Sequence, residues 1–171
     1  AIAPSLTATV RDCEQLGWWH QDIKPENLFF SKGSAVVGDF GVAVKTGTMP
    51  PPGIFIGTPE YASPERMRGY PVSDDYEVGT ALYWLATGCC PVPLASRHSD
   101  DITLRYRLAM QKKFKPWGFS AQMAKKYSPF TNLVDKLLEP LPQNRISLTE
   151  AANQFAAFNS TLPPYSGRFA K

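Results

Sequence analysis

Trp19-His20-Gln21-Asp22-Ile23-Lys24-Pro25-Glu26-Asn27, followed at a short distance by Asp39-Phe40-Gly41, is the stretch that decides how the rest of this sequence is read. A carboxylate, an amine and a carboxamide share one short loop, and a second carboxylate comes after a predicted hairpin. That hairpin is formed by the apolar runs Leu28-Phe29-Phe30 and Ala35-Val36-Val37-Gly38 around Lys32-Gly33-Ser34. Such groups suit chemistry on metal-bound phosphate, where a protein must align the nucleophile, fix metal ions and neutralise charge rather than form covalent bonds. Asp22 is suited to take the proton of an attacking hydroxyl, and Lys24 to neutralise phosphoryl oxygens. Asn27 and Asp39 offer the hard oxygen donors that Mg2+ prefers, and Gly41 lets the backbone turn sharply after Asp39.

Taken in order, His20-x-Asp22-x-Lys24-x-x-Asn27, Asp39-Phe40-Gly41 and Ser63-Pro64-Glu65 resemble the catalytic loop, magnesium loop and activation-segment end of eukaryotic-type protein kinases. Lys24 and Gly57-Thr58-Pro59-Glu60-Tyr61 are similar to the serine/threonine branch of that family. The resemblance runs over residues 1–158 and leaves 159–171, with Pro163-Pro164, as a tail or linker. It implies a mainly α fold, the C-terminal lobe of the kinase, with a small antiparallel β-ribbon carrying the catalytic and magnesium loops. The implied reaction is transfer of the γ-phosphate of ATP to a Ser or Thr hydroxyl of a protein substrate. Asp22, Lys24, Asn27 and Thr58 would then be catalytic, Phe29, Lys24 and Asp39 would face the nucleotide, and Asn27 and Asp39 would hold Mg2+.

The same resemblance assigns supporting roles. His20 would pack beneath Phe40 as a structural residue, and Glu26 stands where some kinases read a basic residue of the substrate. Asp74 resembles the buried Asp that caps the central helix and hydrogen-bonds the catalytic-loop backbone. Arg145, in Leu141-Pro142-Gln143-Asn144-Arg145, resembles the partner of the Glu that closes the activation segment, here Glu65. The glycine-rich loop, the nucleotide-gripping Lys and its Glu partner belong upstream in kinases, and no G-x-G-x-x-G occurs here. An N-terminal lobe is therefore an expected partner, without which ATP binding and catalysis should be weak. Two other classes compete with this reading: a pseudokinase scaffold, and a small-molecule phosphotransferase of the aminoglycoside-kinase type. The latter enzymes generally lack the Ser63-Pro64-Glu65 segment with its Arg145 partner.

Composition sets limits of its own. With 171 residues, 43% of them apolar, the chain can bury one substantial core, and a net charge of +3 makes no case for nucleic acid or a membrane surface as partner. Cys89 and Cys90 are adjacent and bridge only with strain, so with Cys13 they read as reduced thiols in an intracellular compartment. No basic region followed by a long apolar stretch marks a signal peptide. The most apolar run, 81–95, is broken by Gly88, Pro91 and Pro93 and is too short to span a bilayer.

Periodicity places the remaining elements. Leu6, Val10 and Cys13 predict a helix over 5–16 that Gly17 stops, and 39–65 reads as an aperiodic loop stiffened by Pro50-Pro51-Pro52-Gly53. Ser73-Asp74 opens a helix that is apolar all round through Leu85 and so belongs in the interior. A loop follows from Gly88 to Asp100. A basic helix is expected over 101–113, with Arg105, Arg107, Lys112 and Lys113 on a solvated face. Ser128-Pro129 has the pattern of a helix start ahead of Leu133, Val134, Leu137 and Leu138, and Ser147 with Glu150 forms a capping box. One departure from the kinase pattern bears on regulation: Gln21 stands where an Arg usually precedes the catalytic Asp, and a neutral amide cannot pair strongly with a phosphate. Phosphorylation of Thr46, Thr48 or Thr58 is therefore not expected to be the main on-switch. Phosphatase treatment of the active parent protein should leave its activity in place, and a loss reversed by rephosphorylation at those threonines would contradict this.

Overall fold

The computed structural model describes residues 2–49, 51, 54–70, 72–92 and 101–162. The helices are α1 (Ile2–Gln15), α2 (Pro64–Met67), α3 (Asp75–Thr87), α4 (Ile102–Met110), α5 (Ala121–Leu137) and α6 (Leu148–Thr161). The strands are β1 (Trp18–Trp19), β2 (Leu28–Ser31), β3 (Ser34–Val37) and β4 (Val44–Lys45). The protein is thus mainly helical with small antiparallel sheets, as expected. One sheet is the predicted hairpin, β2 against β3 with Leu28 opposite Val37. The other, β1 against β4 with Trp19 opposite Val44, was not legible in sequence, because two-residue strands have no periodicity to read.

The core forms where α1, α3, α5 and α6 meet, with Leu6, Val10, Val78, Leu82, Leu133, Val134, Leu137 and Phe155 all buried. α3 has no solvent-facing side from Tyr76 to Tyr83. At its end Gly88 adopts φ 74° and closes the helix in the left-handed conformation that costs glycine little. α1 lies against β3 and α6; the Ser5 Oγ accepts from the Ala35 amide at 2.8 Å, which fastens the hairpin to the helical body.

Three expectations need correction. α5 starts at Ala121 behind an N-cap Ser120, and Pro129 lies inside it. The apolar stripe begins only after Pro129, which hid the first two turns. Proline has no N–H to give the Lys125 carbonyl four residues earlier, and the Ser128 hydroxyl donates to that oxygen instead at 3.1 Å. Arg105 is not on a solvated face: it is 3% exposed and pairs with Glu60 at 3.2 Å, whereas Arg107, Lys112 and Lys113 are exposed. Asp74 occupies the N-cap position of α3, but its side chain does not cap the helix. Its carboxylate is committed elsewhere, as described below.

α6 ends at Thr161. The tail from Pro163 onward, most of the loop before Asp100, and Pro50, Pro52 and Gly53 fall outside the described residues. No described helix is long and apolar enough to cross a membrane, and Cys13, Cys89 and Cys90 are free thiols.

Helix α3 reaches α5 closely at Gly79, where an added Cβ would meet the Leu137 Cβ at 2.8 Å and the Leu138 Cδ2 at 3.2 Å. Gly79→Ala should overpack this contact by about 1–3 kcal/mol, of which helix propensity returns about 1 kcal/mol. A urea titration should show a lower midpoint at unchanged slope.

Candidate active site

The backbone from His20 to Ile23 is held by acceptors at every amide. Asp74 takes two of them, His20 N at 2.5 Å and Gln21 N at 2.9 Å. Asp22 N donates to the Nδ1 of His20 at 3.3 Å, and Ile23 N donates to the Glu77 Oε2 at 3.2 Å. With Nδ1 accepting, the His20 proton sits on Nε2 and is donated to the Gly38 carbonyl at 2.9 Å. His20 is buried and meets the Phe40 ring edge-on at 4.7 Å between centroids. Gln21 is held at φ 70°, a left-handed conformation uncommon outside glycine, and these contacts on either side keep it there.

Those constraints project Asp22 and Lys24 to one side. The Asp22 Oδ2 lies 2.7 Å from the Lys24 Nζ and accepts from the Asn27 Nδ2 at 3.2 Å, while Oδ1 accepts from the Thr58 hydroxyl at 2.6 Å. Lys24 also donates to the Thr58 Oγ1 at 2.9 Å, so Thr58 bridges acid and amine. Burial by itself raises the Asp22 carboxyl. Hydrogen bonds from Lys24 and Thr58, the Lys24 charge and the Asn27 amide outweigh it, and the group lies below its ordinary value, ionised at neutral pH.

Asn27 sits in the 3-10 turn Pro25–Asn27 and is buried. Its Nδ2 contacts the Asp22 carbonyl at 2.8 Å as well as the carboxylate, which turns Oδ1 away from both. The Asn27 carbonyl accepts from Gly38 N at 2.9 Å. Since the Gly38 carbonyl is bound to His20, the two peptides flanking Gly38, the second of which leads into Asp39, are each held. Asp39 then leaves at φ 61° and is exposed, with Oδ1 accepting from Gly41 N at 3.3 Å. β4 returns the chain to β1 just ahead of His20, so the Asp39-Phe40-Gly41 turn is suspended between two fixed points. A carboxylate and an amide oxygen are donors that fit a magnesium ion drawing its other ligands from water and phosphate. Phe29 is exposed on β2, its ring occupying the space that a side chain at Gly38 would need.

Thr58 arrives from the far side. Gly57, at φ 100°, lies so close to the Gln21 carbonyl that a Cβ there would be 2.3 Å from the oxygen. Beyond it, Ser63 caps α2, and Glu65 receives Arg145 through contacts of 2.5 and 3.0 Å. Arg145 also meets Asp75 at 2.8 Å, donates to the carbonyls of Glu139 and Pro140, and lies over the Tyr76 ring. Lys24, Glu26, Asn27, Thr58, Glu60 and Tyr61 line an open cleft of about 480 Å3. An apolar cleft of about 430 Å3 between α1, α5 and α6 shares no residue with it and gathers no converging polar groups.

Lys24, Asn27 and Thr58, singled out from sequence, all contact the Asp22 carboxylate, and Lys24 also contacts Thr58. Asp39 is joined to them through Gly38, and Phe29 lies beside it. Sequence reasoning missed Glu77 and Arg66. The available signal was a Glu one helical turn after Asp74 in an otherwise apolar helix.

A model of the protein kinase domain matches residues 1–155. CBL-interacting protein kinase 12 of Oryza sativa subsp. japonica is 34% identical over 154 residues, covering 85% of this chain and 26% of that protein. CBL-interacting serine/threonine-protein kinase 12 of Arabidopsis thaliana is 30% identical over 154 residues, 85% of this chain and 29% of its own length. CBL-interacting protein kinase 30 of Oryza sativa subsp. japonica is 30% identical over 168 residues, 92% of this chain and 33% of its length. The chain spans between about a quarter and a third of these curated relatives.

Removing one partner of a buried ion pair strands the other charge. Arg145→Met, which strands both Glu65 and Asp75, is expected to lower the unfolding free energy by about 3–5 kcal/mol, measured by urea denaturation.

Proposed function

The chain belongs to the protein kinase family and carries part of the kinase domain; from that membership we propose that it is the C-terminal lobe of a serine/threonine protein kinase. It transfers the γ-phosphate of ATP to a protein hydroxyl once an N-terminal lobe completes the nucleotide site. The single observation that carries this reading is the contact set joining Asp22, Lys24, Thr58 and Asn27. That set combines a proton acceptor, a cation and a metal ligand at one edge of a cleft, with a threonine on the substrate-facing segment closing it.

In this reading Asp22, ionised at neutral pH, orients the acceptor hydroxyl and takes its proton as the new oxygen–phosphorus bond forms and the bond to the leaving diphosphate breaks. A weak base of this kind acts mainly by orientation, which suits a loose transition state in which little proton transfer need precede bond making. Lys24 neutralises the transferred phosphoryl group, and Thr58 fixes both side chains relative to the peptide substrate. Asn27 and Asp39 are the residues that would hold Mg2+, which supplies charge neutralisation on the phosphates. Glu26 and Glu60 at the cleft favour a basic residue in the substrate, although Glu60 shares its charge with Arg105. Phe29, 60% exposed, and Phe40, 48% exposed, stand with Phe30, Val36 and Val42 on the hairpin and the turn after it. An apolar face of that kind is suited to cover by the nucleotide and a second lobe.

The test is phosphotransfer by the parent protein, comparing wild type with Asp22→Ala and Asp39→Ala. Each variant should lose about 10²–10⁴-fold in kcat, and the 171-residue chain alone should stay near background. Equal incorporation by all three full-length proteins would point to a contaminating kinase and favour the scaffold.

A further inference from the structure

Arg66 and Glu77 are ionisable residues placed in the buried interior. Arg66 is 3% exposed and Glu77 2% exposed. The guanidinium Nη2 lies 3.0 Å from Asp74 and donates to the Val72 carbonyl at 3.3 Å, while Nη1 approaches Glu77 to 2.5 Å. The pairing is imperfect: the Nη1 contact lacks the alignment of a hydrogen bond, and Nε meets no hydrogen-bond partner among the described residues. Burial raises the Glu77 carboxyl above its ordinary value, against the pull of Arg66. Apolar residues of similar volume would commonly serve stability as well or better. The cost calls for another role.

Geometry supplies one. Glu77 accepts from Ile23 N, which belongs to the peptide joining Asp22 to Ile23, and the carbonyl of that same peptide accepts from the Asn27 Nδ2 at 2.8 Å. One peptide plane is therefore clamped between Glu77 on the buried side and Asn27 on the cleft side. Asp22 leaves the chain at one end of it, Lys24 lies one residue past the other, and the Asn27 amide is oriented by it. Asp74, one turn earlier on the same helix, holds the peptides before His20 and Gln21 but does not reach this one. We propose that Glu77, kept in place by Arg66, is a positioning residue that sets the Asp22–Ile23 peptide and with it the spacing of Asp22, Lys24 and Asn27. This rests on the phosphotransfer reading above. Because Gln21 shares the Val72 carbonyl with Arg66, the cation behind the loop is built in and already paired, independent of any acquired phosphate.

Two double variants of the full-length parent protein separate positioning from stability. Arg66→Met/Glu77→Leu replaces the ion pair with apolar side chains and removes the acceptor of the Ile23 amide. Arg66→Met/Glu77→Gln removes the same charges and keeps an acceptor oxygen. Measured below the melting temperature of each, the first should lose on the order of 10–100-fold in kcat with KM for ATP within about twofold, because a misplacement of an ångström suffices. The second should stay within about threefold of wild type. Amide exchange at Ile23, read by NMR without reference to activity, should accelerate in the first and not in the second. Equal kcat and equal Ile23 exchange in the two variants would overturn the proposal. Should the leucine variant not fold, the wild-type protein decides: Ile23 must exchange only on global unfolding, and exchange as fast as that of exposed loop amides would overturn it. An Asp22→Ala control as active as wild type would instead sink the phosphotransfer reading, leaving the exchange result to judge the clamp.

Discussion

The structure depends on carboxylates at the start of α3 reaching out of the helix to hold the backbone of residues 20–23. A loop passing through the interior carries amides that neither water nor a sheet ladder can satisfy. Asp74 and Glu77 accept from three of them, and His20 accepts from the fourth. Hydrogen bonds of this kind are directional, and here they allow a non-glycine residue, Gln21, to remain at positive φ. The arrangement gathers acidic side chains in a dry setting, and a buried cation, Arg66, lies against both.

The first turn of α3 serves two networks at once. Asp74 and Glu77, three residues apart, share the face toward the loop and Arg66, while Asp75, pointing elsewhere, meets Arg145. Arg145 in turn holds Glu65, which ends the segment carrying Thr58. That segment passes close to the Gln21 carbonyl at Gly57 and is fastened at Glu60 by Arg105 and at Glu65 by Arg145. The side chain closing the candidate site therefore comes from a stretch with little regular structure that is nonetheless anchored repeatedly. Where regular hydrogen bonding is absent, ion pairs to the helical body take its place.

The hairpin β2–β3 shows the same economy with weaker forces. Gly38 donates to Asn27 and accepts from His20, so one residue, through the peptides on either side of it, ties the turn carrying Asp39 to the loop carrying Asp22. A Cβ at position 38 would meet the Phe29 ring, which would have to turn aside to make room for it.

Sequence alone determined the helical character and the hairpin, and it singled out Asp22, Lys24, Asn27, Asp39 and Thr58 as the candidate site residues. Hydrophobic periodicity and short-range motifs are local properties that survive without coordinates. The Ser147 cap and the Glu65–Arg145 pair were legible for related reasons, the one local and the other carried by family resemblance. Sequence did not show that Arg105 turns inward, that Pro129 lies within a helix, that β1 pairs with β4, or that Arg66 and Glu77 meet behind the loop. Except for Pro129, whose place in the helix is met locally by Ser128, each depends on which separated residues become neighbours on folding. A charge reads as surface until the fold supplies the opposite charge that makes its burial affordable, and that partner lies 45 residues away for Arg105 and 11 for Arg66.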